Sequence, residues 1–176
     1  MEWYNWLFWI VWSIAILMVI SYALTIPFGA IYIPTIKDER QKALDLLDLK
    51  PGQTFVDLGS GDGTMLILAA QRGWKAIGYE LNPFLAIVSW LRTRRYGRHV
   101  KVRLGNFWKA DVSNADGIFV FLITHHMKRL DRFLIKQARQ KDLKVVSNSF
   151  EIPGRKYSKK SGPMFLYIYG SKPPNA

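Results

Sequence analysis

The chain has 176 residues, which is enough for one well-packed core but too short for two ordinary domains. It carries 25 Lys and Arg against 13 Asp and Glu, a formal net charge of +12, and it has no cysteine. The lack of cysteine excludes disulfide bonds, thiolate metal sites and cysteine nucleophiles. A hydrophobic fraction of 49% excludes an intrinsically disordered chain.

The charged residues are confined to one part of the chain. No charged residue lies between Trp3 and Ile36, and all 25 Lys and Arg follow Ile36. A bilayer core takes about 20 apolar residues as a helix, and Trp6–Thr25 supplies that length. We therefore predict an N-terminal transmembrane anchor over residues 1–36.

The residues that flank this segment indicate its end and its orientation. Pro27 and Gly29 predict that the helix ends or bends there. Basic residues follow from Lys37 onward, whereas only Glu2 precedes the apolar run. By the positive-inside rule, we expect a single-pass protein of the cell membrane with its remaining domain in the cytoplasm. An organelle inner membrane is the alternative.

Strand and helix patterns alternate after the anchor, which predicts an α/β fold with a doubly wound, mostly parallel, Rossmann-like sheet. The predicted strands are Thr54–Leu58, Lys75–Tyr79, Val100–Leu104, Gly117–Ile123, Leu143–Phe150 and Pro163–Tyr169. The predicted helices are Asp38–Leu49, Gly63–Arg72, Pro83 to about Tyr96, and Met127–Gln140. We expect one domain over residues 37–170, with a polar loop at Pro153–Gly162 and a short tail at 171–176.

A glycine-rich run joins the first predicted strand to the next helix. It reads Val56-Asp57-Leu58-Gly59-Ser60-Gly61-Asp62-Gly63. This is the position at which doubly wound sheets bind ligands, and glycine lets a ligand approach the backbone. The spacing differs from the dinucleotide fingerprint, and no Lys-Ser/Thr pair follows as in a P-loop. The two aspartates would also repel a phosphate group.

A second acidic residue stands at the end of the next strand, in Gly78-Tyr79-Glu80-Leu81-Asn82-Pro83. A carboxylate at this position can accept hydrogen bonds from both hydroxyls of a ribose. The two motifs together favour a ligand that has a ribose, no phosphate and a positive charge. S-adenosylmethionine, a sulfonium nucleoside, meets all three conditions.

These motifs resemble those of class I methyltransferases that use S-adenosylmethionine. The match is closer to the membrane-anchored protein-lysine methyltransferases related to the ATP synthase c-subunit and adenine nucleotide translocase enzymes. Beyond the two cofactor motifs, it includes the N-terminal apolar helix, Tyr32-Ile33-Pro34-Thr35, Leu49-Lys50-Pro51-Gly52, Phe107-Trp108-Lys109 and Val120-Phe121-Leu122.

The resemblance implies roles for particular residues. Asp57, Gly59 and Gly61 would line the methionine end of the cofactor, Glu80 would hold the ribose, and Asn106 would accept from the adenine amino group. The full set of predicted cofactor-binding residues is Asp57, Gly59, Ser60, Gly61, Asp62, Gly63, Glu80, Leu81, Asn82, Asn106 and Phe107.

The substrate side is expected after the fourth strand, at Thr124, His125 and His126, because methyltransferases present substrate-facing groups there. We predict Thr124 and His125 as catalytic candidates, although an ordinary surface role for His125 is equally compatible with the sequence. With three histidines, two of them adjacent, no metal site is predicted.

The resemblance implies an enzyme that methylates a lysine of a membrane protein. A lipid, a small lipophilic molecule or RNA is an alternative substrate, and a non-catalytic, membrane-anchored binding module is a third interpretation. A basic cluster favours an anionic membrane surface over a nucleic acid as a further partner. Its members are Arg92, Arg94, Arg95, Arg98, Lys101 and Arg103.

Overall fold

The computed structural model describes residues 3–25, 37–138 and 142–170. The first helix, α1, spans Trp3–Thr25. Its segment Trp3–Ser21 is long and apolar enough to cross a membrane, judged by length and composition alone, and none of it is buried against the rest of the protein.

Three of the sequence expectations fall outside the described residues. They are the helix end at Pro27 and Gly29, the Tyr32–Thr35 segment and the tail at 171–176.

The remaining elements alternate as the sequence predicted. The helices are α2 (Lys37–Leu47), α3 (Thr64–Gln71), α4 (Pro83–Thr93) and α5 (Thr124–Gln137), with short 3₁₀ segments at Arg94–His99 and Phe107–Lys109. The strands are β1 (Thr54–Leu58), β2 (Lys75–Glu80), β3 (Val100–Leu104), β4 (Gly117–Val120), β5 (Leu143–Asn148), β6 (Lys159–Ser161) and β7 (Met164–Tyr169).

The strands form one sheet in the order β3-β2-β1-β4-β5-β7-β6. The first five are parallel, and β7 runs antiparallel to both β5 and β6. The chain moves outward from β1 to β3 and then returns to β4, so the strand order reverses between β1 and β4. Ligands of doubly wound sheets bind at this reversal, outside the carboxyl ends of the strands.

Helices cover both faces of the sheet. On one face, α2 and α3 bury Leu44, Leu47 and Leu66 against inward side chains such as Phe119. On the other face, α5 buries Met127, Leu130 and Leu134 against Ile118 and Val145. Successive residues of β4 therefore serve opposite cores, which is why the strand is apolar throughout and its sequence shows no alternation.

The structure corrects several predicted boundaries. The third helix of the domain ends at Thr93 rather than near Tyr96, and β4 ends at Val120, three residues earlier than predicted. The helix α5 begins at Thr124, so the predicted catalytic residues lie in its first turn. The predicted loop at Pro153–Gly162 contains the edge strand β6, whose Lys-Lys-Ser sequence is largely exposed and has no apolar pattern to reveal it.

Candidate functional site

The candidate site lies where β1, β2 and β4 end. Leu58 of β1 pairs with Tyr79 of β2 on one side and with Val120 of β4 on the other. The residues that follow these three positions are therefore brought to the same edge of the sheet. The strand pattern predicted this position for the residues after β1 and β2, and the resemblance to methyltransferases implied it for those after β4.

The glycine loop is attached to β2 by its own backbone. The amides of Gly59 and Ser60 both donate to the carbonyl oxygen of Tyr79, at 3.0 and 2.9 Å. Gly59 has φ +105°, and a Cβ built on it would meet no atom within 4 Å. The backbone of Gly59 thus presents an open surface that a ligand can approach.

Gly63 has a packing constraint that Gly59 lacks. It has φ +79°, but a Cβ built on it would lie 2.4 Å from Oγ of Ser89. The absence of a side chain at Gly63 allows α3 to begin close against α4. The sequence predicted Gly63 as a cofactor-binding residue, and that stays a prediction; the structure adds a packing reason for the missing side chain.

Glu80 is buried beneath the loop and is held by backbone amides. Its Oε2 accepts from the amide of Gly61 at 2.8 Å, and its Oε1 accepts from that of Asn82 at 2.8 Å. A carboxylate offers about four lone-pair sites, so these bonds leave capacity for a further donor. Burial raises the pKa of Glu80, although hydrogen bonds from Asn82, Gly61 and Leu81 act in the opposite direction.

Asp57 is also buried at this edge, and burial raises its pKa well above the ordinary range. The negative charges of Glu80 and Asp62 raise it further. A buried carboxyl beside two other acidic groups is costly to ionise. A cationic group bound here would remove that cost, so the edge favours a ligand that carries positive charge.

Asp62 differs from the other two acids because it has a cation partner. Burial acts to raise its pKa, but hydrogen bonds from Thr64 and Arg92, with the charge of Arg92, lower it overall. Arg92 forms an ion pair with the carboxylate and donates to the Asp62 carbonyl oxygen at 3.0 Å. The sequence had placed Arg92 in the basic cluster expected at an anionic membrane, whereas in the structure Arg92 pairs with Asp62 of the glycine loop.

The predicted adenine-side residues have local structural roles. Oδ1 of Asn82 caps α4 by accepting from the amides of Phe84 and Leu85 at 2.9 and 3.2 Å. Oδ1 of Asn106 accepts from the amide of Trp108 at 3.0 Å, which leaves one lone pair for another donor. Leu81 is half-buried, and Phe107 is buried in the core that faces α5.

The predicted substrate side lies at the start of α5. Thr124 and His125 are exposed, whereas His126 is half-buried. Desolvation, and then the charges of His125 and Arg129, lower the pKa of His126. Its ring lies 6.2 Å from that of Trp108.

Trp108 is a residue of this region that the sequence did not single out as functional. The guanidinium of Arg129 lies 4.3 Å from its ring centre, and its buried Nε1–H has no hydrogen-bond partner among the described residues. Only the Phe-Trp-Lys motif could have drawn attention to it.

The edge therefore contains backbone open to a ligand at Gly59, buried carboxylates with spare lone pairs, and an excess of negative charge. Ribose hydroxyls can donate to Glu80, and a sulfonium or ammonium group suits the potential around Asp57. Within the described residues, no group of three or more His, Asp and Glu side chains could hold a metal ion.

Residues 57–159 match the family model of the ANTKMT methyltransferase domain. The chain belongs to this family. The resemblance inferred from the glycine loop and the Glu-Leu-Asn-Pro motif is thus confirmed, and so is the Rossmann-like methyltransferase fold.

Relatives of known name agree with the family. The human lysine N-methyltransferase of the ATP synthase c-subunit is 32% identical over 124 residues, which are 69% of this chain and 52% of the relative. A protein-lysine N-methyltransferase of Saccharolobus islandicus strain REY15A is 32% identical over 128 residues, covering 70% of this chain and 78% of that protein. The chain thus spans about half the length of its human relative.

Among solved structures, an RNA methyltransferase from Salinibacter ruber in complex with S-adenosyl-L-homocysteine has a TM-score of 0.70 and 25% sequence identity. The match covers 82% of this chain and 98% of that chain.

Proposed function

We propose that the protein is an S-adenosylmethionine-dependent methyltransferase that methylates a lysine of a membrane protein. The observation that carries this proposal is the buried Glu80 carboxylate beneath an open glycine loop, in a chain of the ANTKMT family. The relatives named as lysine N-methyltransferases support a lysine as the nucleophile.

The site residues suit the proposed cofactor. When bound, S-adenosylmethionine supplies a methyl group on a positively charged sulfur. Glu80 would accept from the ribose hydroxyls, and Asp57 would face the cationic end. The open backbone at Gly59 would allow close approach. Ser60 fits this assignment, since its Oγ is buried and has no partner among the described residues.

The substrate lysine must lose a proton before it can act as a nucleophile, because its ordinary pKa is about 10.4. Desolvation of the amine as the substrate binds would favour its neutral form. His126 is a candidate to accept that proton, with a pKa lowered by desolvation and by the charges of His125 and Arg129. Thr124 and His125 are exposed beside it and are proposed to contact the substrate.

The membrane placement rests on α1. We propose that residues 1–36 form a single-pass anchor, that 37–170 form the catalytic domain on the cytoplasmic side, and that 171–176 form a tail. The apolar length of α1 and the basic residues from Lys37 onward support this arrangement. An anchor raises the local concentration of membrane substrates around the site.

The proposal is tested with a labelled methyl donor, purified enzyme and membranes from a strain that lacks the gene. Label is measured separately in protein, lipid and RNA, and labelled protein is hydrolysed to identify the methylated residue. Methyl-lysine in a membrane protein is expected. Label in lipid or RNA would overturn the assignment of lysine as the substrate. The absence of label from every fraction would overturn the proposal that the protein is an enzyme.

Two variants make the assay specific. Glu80→Ala should abolish labelling, because it removes the proposed ribose acceptor. Asp111→Ala removes an exposed carboxylate outside the site and should label as well as the unmodified protein. Equal activity of both variants would contradict the assigned role of Glu80.

A further inference from the structure

Four of the six large apolar side chains of α4 face away from the sheet, and only Phe84 and Leu85 are half-buried. Its buried residues are the small Ala86, Ser89 and Thr93. Ile87 is 56% exposed and Trp90 is 57% exposed. Val88 and Leu91 are also exposed, so a continuous apolar stripe faces away from the protein.

The other long domain helix has the usual arrangement. The helix α5 turns Met127, Leu130 and Leu134 inward and directs Lys and Arg outward. The inner face of α4 consists of small residues because α3 begins close against it, at the point where Gly63 lies next to Ser89. Packing within the domain therefore accounts for the small residues of α4 but not for its outer apolar stripe.

The charge around α4 indicates what covers the stripe. The segment 83–104 contains six Lys and Arg and no Asp or Glu. Arg92 is engaged with Asp62, whereas Arg94, Arg98 and Lys101 form no ion pair with any described residue and lie exposed just beyond the helix. Leu104, on the edge strand β3, adds a further exposed apolar side chain.

A surface that combines apolar side chains with unpaired cations suits an anionic bilayer. A second copy of the chain would bring an identical positive segment against this one, and like charges repel. RNA would use the arginines but would leave the apolar stripe exposed to water. Lipid accommodates both, because acyl chains cover apolar residues while phosphates pair with cations.

We infer that α4 is a second membrane contact, which lies in the interface plane of an anionic bilayer. Ile87, Trp90 and Leu91 enter the boundary between headgroups and acyl chains, and Arg94 and Arg98 contact lipid phosphates. This inference rests on the membrane placement proposed above but not on methyl transfer. Because α4 begins three residues after Glu80, the contact fixes how the site faces the membrane.

The absence of cysteine allows a direct test in the full chain. Ile87→Cys and Trp90→Cys are labelled separately with an environment-sensitive fluorophore, and the protein is placed in nanodiscs that contain doxyl-labelled lipid. The matched control is Ile135→Cys, which is 50% exposed on α5 and lies on the opposite face of the sheet. Ser13→Cys in α1 reports on the anchor.

Quenching by doxyl lipid is expected to be several-fold stronger at positions 87 and 90 than at 135. It should also be stronger with phosphatidylglycerol than with phosphatidylcholine alone, and salt should weaken it. Circular dichroism of each labelled variant checks that the fold is retained.

Quenching at position 13 without quenching at 87 or 90 would overturn the inference and leave the anchor intact. Equal quenching with and without phosphatidylglycerol would overturn the role of the arginines. If lipid does not quench positions 87 and 90 but single-stranded RNA protects them, the surface belongs to RNA. If raising the protein-to-lipid ratio protects them instead, it belongs to a second copy of the chain. Either result would overturn the inference. Methylation activity does not enter the measurement.

Discussion

The parallel strands begin at one end of the sheet, called here the amino edge, and finish at the other, the carboxyl edge. Both edges carry acidic residues, but these residues have different environments. At the amino edge, Oδ2 of Asp116 accepts from the amide of Thr54 at 2.7 Å, and the amide of Asp116 donates to the carbonyl of Thr54 at 2.8 Å. Nearby, Nζ of Lys144 donates to the carbonyls of Leu47 and Asp48 at the end of α2, at 2.8 and 2.9 Å. Polar groups at this edge join neighbouring elements.

At the carboxyl edge, Asp57 and Glu80 are buried and their pKa values are raised. Such groups cost stability in the protein alone, and binding of a complementary ligand can offset that cost. A cavity of about 390 Å³ lies at the amino edge, between Asp116, Asp142 and Lys144. Its position does not make it the site, because ligands of doubly wound sheets bind at the carboxyl edge.

The largest expected effect comes from removing the central acid of the carboxyl edge. Glu80→Ala deletes the proposed acceptor for the ribose hydroxyls and also frees the amides of Gly61 and Asn82. Hydrogen bonds to a charged group contribute about 1.5–3 kcal/mol each, so the affinity for S-adenosylmethionine should fall at least about 100-fold. Isothermal titration calorimetry measures this affinity.

Glu80→Gln sharpens the same experiment. The Gln side chain keeps one acceptor oxygen but turns an NH₂ group toward one of the two backbone amides. We therefore expect an intermediate loss of S-adenosylmethionine affinity, about tenfold. If Glu80→Ala bound the cofactor normally, the assignment of ligand binding to the carboxyl edge would be wrong.

Variants of Gly59 and Gly63 separate ligand binding from packing. Gly59→Ala introduces a Cβ into open space at positive φ, which costs about 1–2 kcal/mol of folding stability, and it also fills the surface open to the ligand. We expect S-adenosylmethionine affinity to fall about tenfold or more, with each 1.4 kcal/mol of lost binding energy giving a factor of ten.

Gly63→Ala should instead lower the free energy of unfolding, by about 3 kcal/mol from overpacking and backbone strain. Its new Cβ would collide with Ser89. Adding Ser89→Ala removes the closest atom and should restore part of that stability in thermal unfolding. A large loss of affinity with little loss of stability for Gly63→Ala would return this glycine to the ligand site.

Asp57→Asn should produce opposite effects on stability and binding. Burial raises the pKa of Asp57 in the folded state, so the unfolding free energy of the ligand-free protein falls as pH rises from the unfolded pKa of about 3.9 through the folded value. The variant cannot ionise and should have the higher melting temperature at pH 7, with little difference near pH 3. Its affinity for S-adenosylmethionine should fall about tenfold, as expected for one lost charged hydrogen bond.

Thermal unfolding at several pH values, with and without the cofactor, measures both effects. A melting temperature at pH 7 below that of the unmodified protein would show that the Asp57 carboxylate stabilises the fold.

The sequence predicted that Asp57, Gly59 and Glu80 meet at the carboxyl edge, because the strand pattern and two local motifs bring them together. The Asn82-Pro83 pair is also a local signal for the cap that Asn82 forms on α4. The partner of Asp62 could not be predicted, since Arg92 is 30 residues away and meets it only through the packing of α4.

The outer stripe of α4 was missed for a different reason. Apolar periodicity predicts a helix with one apolar face, and such a face is usually assigned to the core. The burial of Ala86, Ser89 and Thr93, with the close approach of Gly63 to Ser89, shows that the small-residue face is the buried one. The edge strand β6 was missed because its exposed residues carry no apolar signal.

The smallest expected effect tests the amino edge. Asp116→Ala removes the acceptor for the amide of Thr54 and should lower the free energy of unfolding by about 1–2 kcal/mol, measured by chemical denaturation. Asp116→Asn retains an acceptor oxygen, so its free energy of unfolding should fall by less. Neither change should alter the affinity for S-adenosylmethionine, because the residue lies at the opposite end of β4 from the site. A tenfold loss of affinity with unchanged stability would show that the two edges are coupled through β1 and β4, and that the division of roles between them is wrong.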